Sequence, residues 1–184
     1  RRLGKRICTG FENDIWFVLH LMIAGRLHWR QRGAEISPRQ NFAAFDFADG
    51  SLLWSEAGSK KRASLHVVGS EVALHELHAG GVEVLECSYH DFARALRSSN
   101  HTLKRALTDP RMFSGIGNAY SDEILWEAKL SPIAMTQKLS DEAIHRLFEA
   151  TRTTLNLWIQ KLRDKYKDSF PEKVTAFREG MAVH

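Results

Sequence analysis

The segment Asp109–Leu125 constrains the fold more than any other part of the chain. It begins as a turn at Asp109-Pro110, passes through two glycines that flank one isoleucine, and continues with a helical pattern. We expect Asn118 to cap that helix, with Asp122 and Glu123 in its first turn. A glycine turn that leads into a helix exposes several backbone N–H groups together, and such a surface can hold a phosphate. A tight helix–helix turn explains the same glycines without any ligand, so both interpretations stay open.

The first 68 residues are predicted to form short strands separated by turn residues. Ile15–His20 is strongly apolar and has the length of a strand. Phe42–Phe47 and Ser51–Trp54 flank Asp49-Gly50, which is typical of a β-hairpin. Arg62–Val68 alternates polar and apolar residues. Several short strands in succession indicate a β-sandwich or a barrel-like half.

From residue 88 onward the pattern becomes helical. Ser88 opens a capping box with Asp91 in place of the usual glutamate. The longest helix is predicted to begin after Ser140, because apolar residues then recur with a period of 3.6. The residues of this apolar face are Ile144, Leu147, Phe148, Thr151, Leu155, Trp158, Ile159 and Leu162. Strands followed by helices predict the α+β fold class.

Composition excludes few function classes. The chain has 184 residues and a formal net charge of +4, which is compatible with a phosphate backbone as partner but does not require one. No apolar run approaches the roughly 20 residues of a membrane span, and no apolar signal-peptide segment follows Arg1-Arg2, so we expect a cytoplasmic protein with no membrane partner. Cys8 and Cys87 are far apart in sequence, which favours two reduced thiols over a disulfide or a zinc site.

Four segments together resemble the formamidopyrimidine-DNA glycosylase / endonuclease VIII family. Gly115–Leu125 is similar to the family's helix–two-turns–helix, and Leu103–Asp109 to the helix before it. Arg1–Lys5 is similar to the basic segment that carries a lysine at the lesion, and His20–Leu27 to a strand end that reaches towards DNA. A small-subunit ribosomal protein shares the helix–two-turns–helix but lacks the β-rich half.

The resemblance implies two domains and a chemistry. Residues 1–86 would be an incomplete catalytic-type β-sandwich and residues 87–184 the helix–two-turns–helix domain, with double-stranded DNA in a basic cleft between them. The family flips a damaged nucleotide out of the duplex. An amino-terminal proline then attacks C1′, the oxidised base leaves, and the resulting Schiff base permits β-elimination at the abasic site. A neighbouring glutamate transfers protons.

Site residues are carried over position by position. Lys5 is the predicted catalytic lysine that holds a phosphate near the lesion, against the alternative of an ordinary surface lysine. The predicted DNA-binding residues are Lys104, Gly115, Gly117, Asn118, Tyr120, His20 and Ile23. Each of four residues has an alternative. Asn118 could simply cap a helix and Lys104 could lie on a solvated helix face. Tyr120 could pack in the core and His20 could be a buried histidine. The loop Phe170–Gly180 lies where the family cradles the flipped base.

The sequence also departs from the family pattern. It has no amino-terminal Pro-Glu pair and no methionine at its start, so we expect a piece of a longer polypeptide that lacks the nucleophile and is inactive by itself. The cysteine-ligated zinc finger is absent, so zinc is expected only in the full-length protein and no metal or cofactor in this chain. Ser55–Arg62 does not reproduce the usual arginine–phenylalanine segment, which puts the opposite-base preference in doubt. We expect a monomer. The alternative function is a non-catalytic nucleic-acid-binding module, either a degenerate paralogue or a ribosomal-type protein.

Overall fold

The computed structural model describes residues 1–37, 41–57, 59–172 and 178–183. The chain divides into two compact units. One comprises residues 1–2, 6–74 and 166–175, and the other comprises residues 3–5, 75–165 and 176–184. Among the described residues, no helix is long and apolar enough to cross a membrane.

The first unit is built from antiparallel strands in two sheets. The strands are β1 (Arg2–Leu3), β2 (Arg6–Gly10), β3 (Trp16–His20), β4 (Gly25–Arg30), β5 (Asn41–Asp46), β6 (Ser51–Glu56) and β7 (Ser64–Val68). One sheet has the order β1-β2-β3-β7 and the other β4-β6-β5. Helix α1 (Glu71–Glu76) follows β7.

Aromatic side chains pack between these two sheets. Phe17 of β3 meets Phe45 of β5 edge to face, with ring centroids 6.1 Å apart. Val18, on the central strand β3, is fully buried. The predicted hairpin is confirmed, since β5 and β6 pair antiparallel with Asp46 opposite Ser51. Two facing antiparallel sheets agree with the sandwich-type half that the alternating sequence predicts.

The second unit is mainly helical. Its elements are β8 (Val82–Glu83), α2 (Tyr89–Arg97), α3 (Leu103–Thr108), β9 (Phe113–Ser114), α4 (Asn118–Glu127) and α5 (Asp141–Lys165). Short 3-10 turns lie at Glu12–Asp14 in the first unit and at Thr136–Lys138 here. Strands β8 and β9 form a two-residue parallel pair. The α+β class is therefore confirmed.

A single apolar cluster holds the helices of this unit together. Phe92 of α2, Leu103 of α3, Ile124 of α4 and Leu147 of α5 are all fully buried in it. The predicted capping box is confirmed, because Ser88 Oγ accepts a hydrogen bond from the Asp91 N–H over 3.1 Å. The apolar face of α5 is also confirmed: its predicted positions from Ile144 to Trp158 are buried except Leu155, which like Ile159 and Leu162 is half-buried.

Candidate nucleic-acid interface

The turn between β9 and α4 presents backbone N–H donors that no described residue pairs. Gly115 has φ +86°, a conformation that glycine adopts readily and other residues only with strain. The Ser121 N–H donates to the Gly117 carbonyl oxygen over 3.0 Å, so the regular helical hydrogen bonds begin there. Among the described side chains none caps this helix. The first N–H groups of α4 therefore face outward with the positive end of the helix dipole, which favours an anion.

Asn118 is the first residue of α4, and Gly117 is the cap residue. The prediction that Asn118 caps the helix is wrong, because its backbone is already helical and its exposed side chain makes no capping hydrogen bond. Its carbonyl oxygen accepts from Ser121 Oγ and from Lys104 Nζ, both over 2.7 Å. The amide side chain is thus left at the surface beside the glycine turn.

Lys5 lies against this turn within the same unit. A Cβ placed on Gly117 would be 3.4 Å from Lys5 Nζ, so the glycine lets the ammonium group approach the backbone closely. The Lys5 side chain is exposed as a whole, yet partial desolvation lowers its pKa from the usual value. A cation that is incompletely hydrated and adjacent to free N–H groups is suited to hold a phosphate oxygen.

Lys104 is half-buried and makes its contacts within the protein. Besides the Asn118 carbonyl oxygen, its ammonium contacts the carboxylate of Asp122 in a partly buried ion pair. The prediction that Asp122 and Glu123 lie in the first turn of the helix is wrong, because α4 begins at Asn118 and its first turn holds no acidic residue. The sequence also gave Asp122 no partner. Asp122 lies four residues after Asn118, one turn along the same helix face, and this spacing was the available sign that one side chain could contact both residues. A phosphate contact by Lys104 stays a prediction.

The other three predicted DNA-binding residues, Tyr120, Ile23 and His20, each lie in a different local environment. Tyr120 packs edge to face on Trp158 of α5, with ring centroids 6.1 Å apart, which is a contact of the helical unit's own interior. Ile23 lies in the β3–β4 turn and is 82% exposed, and the Arg26 guanidinium donates to its carbonyl oxygen over 2.9 Å. His20 ends β3 opposite Arg6 and Ser64. Roles in DNA binding for these three residues stay predictions.

The loop predicted to cradle a base is only partly described. Residues 173–177 of Phe170–Gly180 lie outside the described residues. The described start of that loop is fixed to the sheet of the first unit. The Glu172 carboxylate accepts from Arg30 Nη1 over 2.5 Å and contacts His28 Nδ1 at 3.0 Å. These hydrogen bonds, that of Arg30 first, lower the pKa of Glu172 to about 2.

The described residues do not fit a zinc site. No group of three or more His, Cys, Asp or Glu side chains among them is arranged to hold a metal ion. Cys8 is buried in β2 and Cys87 precedes α2, and burial raises the pKa of both thiols, which disfavours the thiolate that zinc requires. A zinc finger of the kind that the resemblance implies would need other cysteines.

Comparisons with known proteins identify relatives of this chain. Residues 82–168 match the family described as Formamidopyrimidine-DNA glycosylase H2TH domain. The formamidopyrimidine-DNA glycosylase of Heliobacterium modesticaldum is 31% identical over 194 residues, covering 97% of this chain and 70% of that protein. That of Ligilactobacillus salivarius is 30% identical over 146 residues, and the match spans 52% of its length. The chain thus spans about half the length of several curated relatives.

Solved structures show the same fold with DNA bound. The complex between the Lactococcus lactis Fpg and abasic-site-containing DNA is 25% identical, with a TM-score of 0.78 over 87% of this chain and 59% of that one. The complex of the same protein with FAPY-dG-containing DNA matches at 25% identity and a TM-score of 0.78, over 61% of its length. With the sequence match to the Heliobacterium protein, these likenesses establish that the chain belongs to the formamidopyrimidine-DNA glycosylase family.

Proposed function

We propose that this protein acts in base-excision repair as a DNA glycosylase that removes oxidised bases from duplex DNA and then cuts the abasic site as a lyase. The observation that carries the proposal is the ammonium of Lys5 against Gly117, beside the uncapped start of α4. The relatives named as formamidopyrimidine-DNA glycosylases, and their complexes with abasic-site and FAPY-dG DNA, support the substrate class. We further propose a monomer that acts on DNA in a bacterial cytoplasm.

The chemistry of phosphate binding supports this assignment. A DNA phosphate at the turn would receive N–H donors from the first turn of α4 and a charge-assisted hydrogen bond from Lys5. Neutral donors and a cation act on the same anion from two chain segments. Such contacts fix the register of the DNA without reading its sequence, which suits an enzyme that must inspect any sequence for damage.

The proposed lyase step uses an amine nucleophile. The amine bonds to C1′ as the bond from C1′ to the base breaks, and the sugar ring then opens to give an imine. The imine withdraws electrons from C2′, so that loss of a C2′ proton expels the 3′ phosphate and cuts the strand. We propose that Lys5 holds the phosphate near this sugar and that the attacking amine is not among residues 1–184.

Borohydride trapping on an abasic-site duplex tests the proposal. The natural gene product, the 184-residue chain and the Lys5→Ala variant of each would be compared, with Lys138→Ala as a control at an exposed lysine. We expect a covalent adduct with the natural product, less with its Lys5→Ala variant, and none with the 184-residue chain. An adduct with that chain would place an attacking amine within it. DNA binding without any adduct would favour the non-catalytic module.

A further inference from the structure

A three-residue polar network lies directly behind the glycine turn. Ser114 Oγ donates a short hydrogen bond to Glu83 Oε1, and His78 Nε2 lies 3.3 Å from Ser114 Oγ. Ser114 is only 4% exposed, whereas the side chains of His78 and Glu83 are 23% and 27% exposed. The hydroxyl is thus buried between a carboxylate and an imidazole, one residue before Gly115.

The hydrogen bonds of this network run in one direction. The Gly80 N–H donates to His78 Nδ1 over 3.1 Å, which makes Nδ1 an acceptor and places the proton of the neutral ring on Nε2. Nε2–H then donates to Ser114 Oγ, whose own proton goes to Glu83. His78 Nε2 also lies 3.7 Å from Glu83 Oε1, so the imidazole and the carboxylate both face the hydroxyl and together favour one orientation of it.

The network ties together three segments that are distant in sequence. Glu83 and Ser114 are direct partners in the parallel β8–β9 pair. On the other side, a Cβ placed on Gly4, whose φ is +59°, would be 3.4 Å from Ser114 Oγ. Gly4 therefore packs on the Ser114 side chain, and Lys5 follows it immediately. Ser114 thus adjoins both the start of the glycine turn, at Gly115, and the glycine that precedes Lys5.

We propose that His78, Ser114 and Glu83 are positioning residues that set the spacing between the Lys5 ammonium and the Gly115–Asn118 turn, so that one DNA phosphate can contact both. This inference rests on the proposed function, because it assumes that the turn and Lys5 bind a phosphate. An apolar residue would fill the volume of Ser114 without leaving a buried hydroxyl to satisfy. The polar network instead fixes the orientation of the Ser114 side chain as well as its volume. A phosphate site with Lys5 on one side and the glycine turn on the other requires both.

A double-mutant cycle tests the proposal on the natural gene product. Affinity for a duplex with a stable abasic-site analogue would be measured across a salt series for the wild type, Ser114→Ala, Lys5→Ala and the double variant. Glu83→Gln keeps an acceptor for the hydroxyl and is the conservative variant. Glu86→Gln makes the same change three residues later, at an exposed side chain outside the network.

We expect Ser114→Ala to weaken binding about fivefold, the effect of one lost hydrogen bond. It should also reduce the log–log salt slope by about 0.9, the share of one phosphate contact. In the Lys5→Ala background, Ser114→Ala should change neither quantity further, because the contact that it positions is already gone. Glu83→Gln should retain most of the affinity, and Glu86→Gln all of it.

Two outcomes overturn the inference in different ways. If Lys5→Ala weakens binding but Ser114→Ala leaves the slope unchanged, or acts equally in both backgrounds, the network is merely structural. If Lys5→Ala itself changes neither affinity nor slope, the phosphate site of the proposed function fails and the inference fails with it. Should Ser114→Ala not fold, His78→Phe, which keeps the ring volume and removes the Nε2–H donor, is judged by the same criteria.

Discussion

The ammonium of Lys104 on α3 donates a 2.7 Å hydrogen bond to the carbonyl oxygen of Asn118, the first residue of α4. It also pairs with the carboxylate of Asp122, one turn further along α4. A lysine that the family resemblance predicts to contact DNA thus joins the two helices on either side of the glycine turn. The first turn of α4 carries the N–H donors of the proposed phosphate site. The hydrogen bond from Lys104 to Asn118 therefore holds the residue at which that site begins.

Replacing Lys104 with methionine should loosen the start of α4. The change keeps the length of the side chain but removes its hydrogen bond to Asn118 and its ion pair with Asp122, whose two side chains are only about one-quarter exposed. We expect the free energy of unfolding to fall by about 1 kcal/mol. Hydrogen exchange at Ser121 N–H should accelerate. Urea unfolding and exchange measurements would check this, with Lys138→Met as the control. Unchanged stability and exchange would contradict it.

Glu123 should hold the segment at residues 182–183 on α4. Its carboxylate is 6% exposed and accepts from the N–H groups of Ala182 and Val183, each over 2.7 Å. Glu123→Ala removes both acceptors, and we expect that segment to open more easily by about 2 kcal/mol. Exchange of the two amides should rise roughly 30-fold, the factor equivalent to that energy.

Glu127→Ala is the matched control for this experiment. It makes the same change one turn later on α4, at an exposed position. Exchange at Ala182 and Val183 should then stay at the wild-type rate. Equal acceleration in both variants would mean that helix propensity, rather than the carboxylate, holds the segment.

Glu172 should add a pH-dependent contribution to stability. Its pKa is about 2 in the folded protein and near the ordinary 4.5 when unfolded. A lowered folded pKa means that the contribution is present above about pH 5 and is lost as pH falls towards 2. Since the carboxylate is 39% exposed, we expect less than about 1 kcal/mol.

Unfolding of the wild type and Glu172→Gln between pH 2 and pH 7 would measure this contribution. The difference in free energy of unfolding between them should be largest at the upper end and smallest at pH 2, where the folded carboxylate becomes protonated. Glu35→Gln, at an exposed glutamate of the same unit, should show no such trend. A constant difference at every pH would refute the assignment to the carboxylate.

Gly81 should tolerate no side chain. A Cβ at this position would lie 2.4 Å from the Pro110 carbonyl oxygen, so the β8–β9 pair would have to separate. We expect Gly81→Ala to cost about 2–3 kcal/mol in free energy of unfolding. Gly69→Ala, where nothing lies within 4 Å of the added atom, should change stability by less than about 0.5 kcal/mol. Thermal and urea unfolding of the two variants would decide.

The sequence by itself determined the elements and the family. Local patterns are sufficient for the hairpin at Asp49-Gly50, the capping box at Ser88 and the apolar face of α5, because turn chemistry and helical period act over a few residues. The glycine turn before α4 is readable for the same reason. The position of Asn118 was misjudged by one residue, since a glycine took the cap position.

Only the tertiary structure decided which side chains meet. Lys5 and Gly117 are more than a hundred residues apart, and so are Arg30 and Glu172, so no local pattern links either pair. The partner of Lys104 and the network around Ser114 likewise depend on how buried segments pack. Hydrogen bonds and ion pairs act over about 3 Å, whereas sequence patterns report only which face of an element is apolar. Packing of those apolar faces brings the polar groups together.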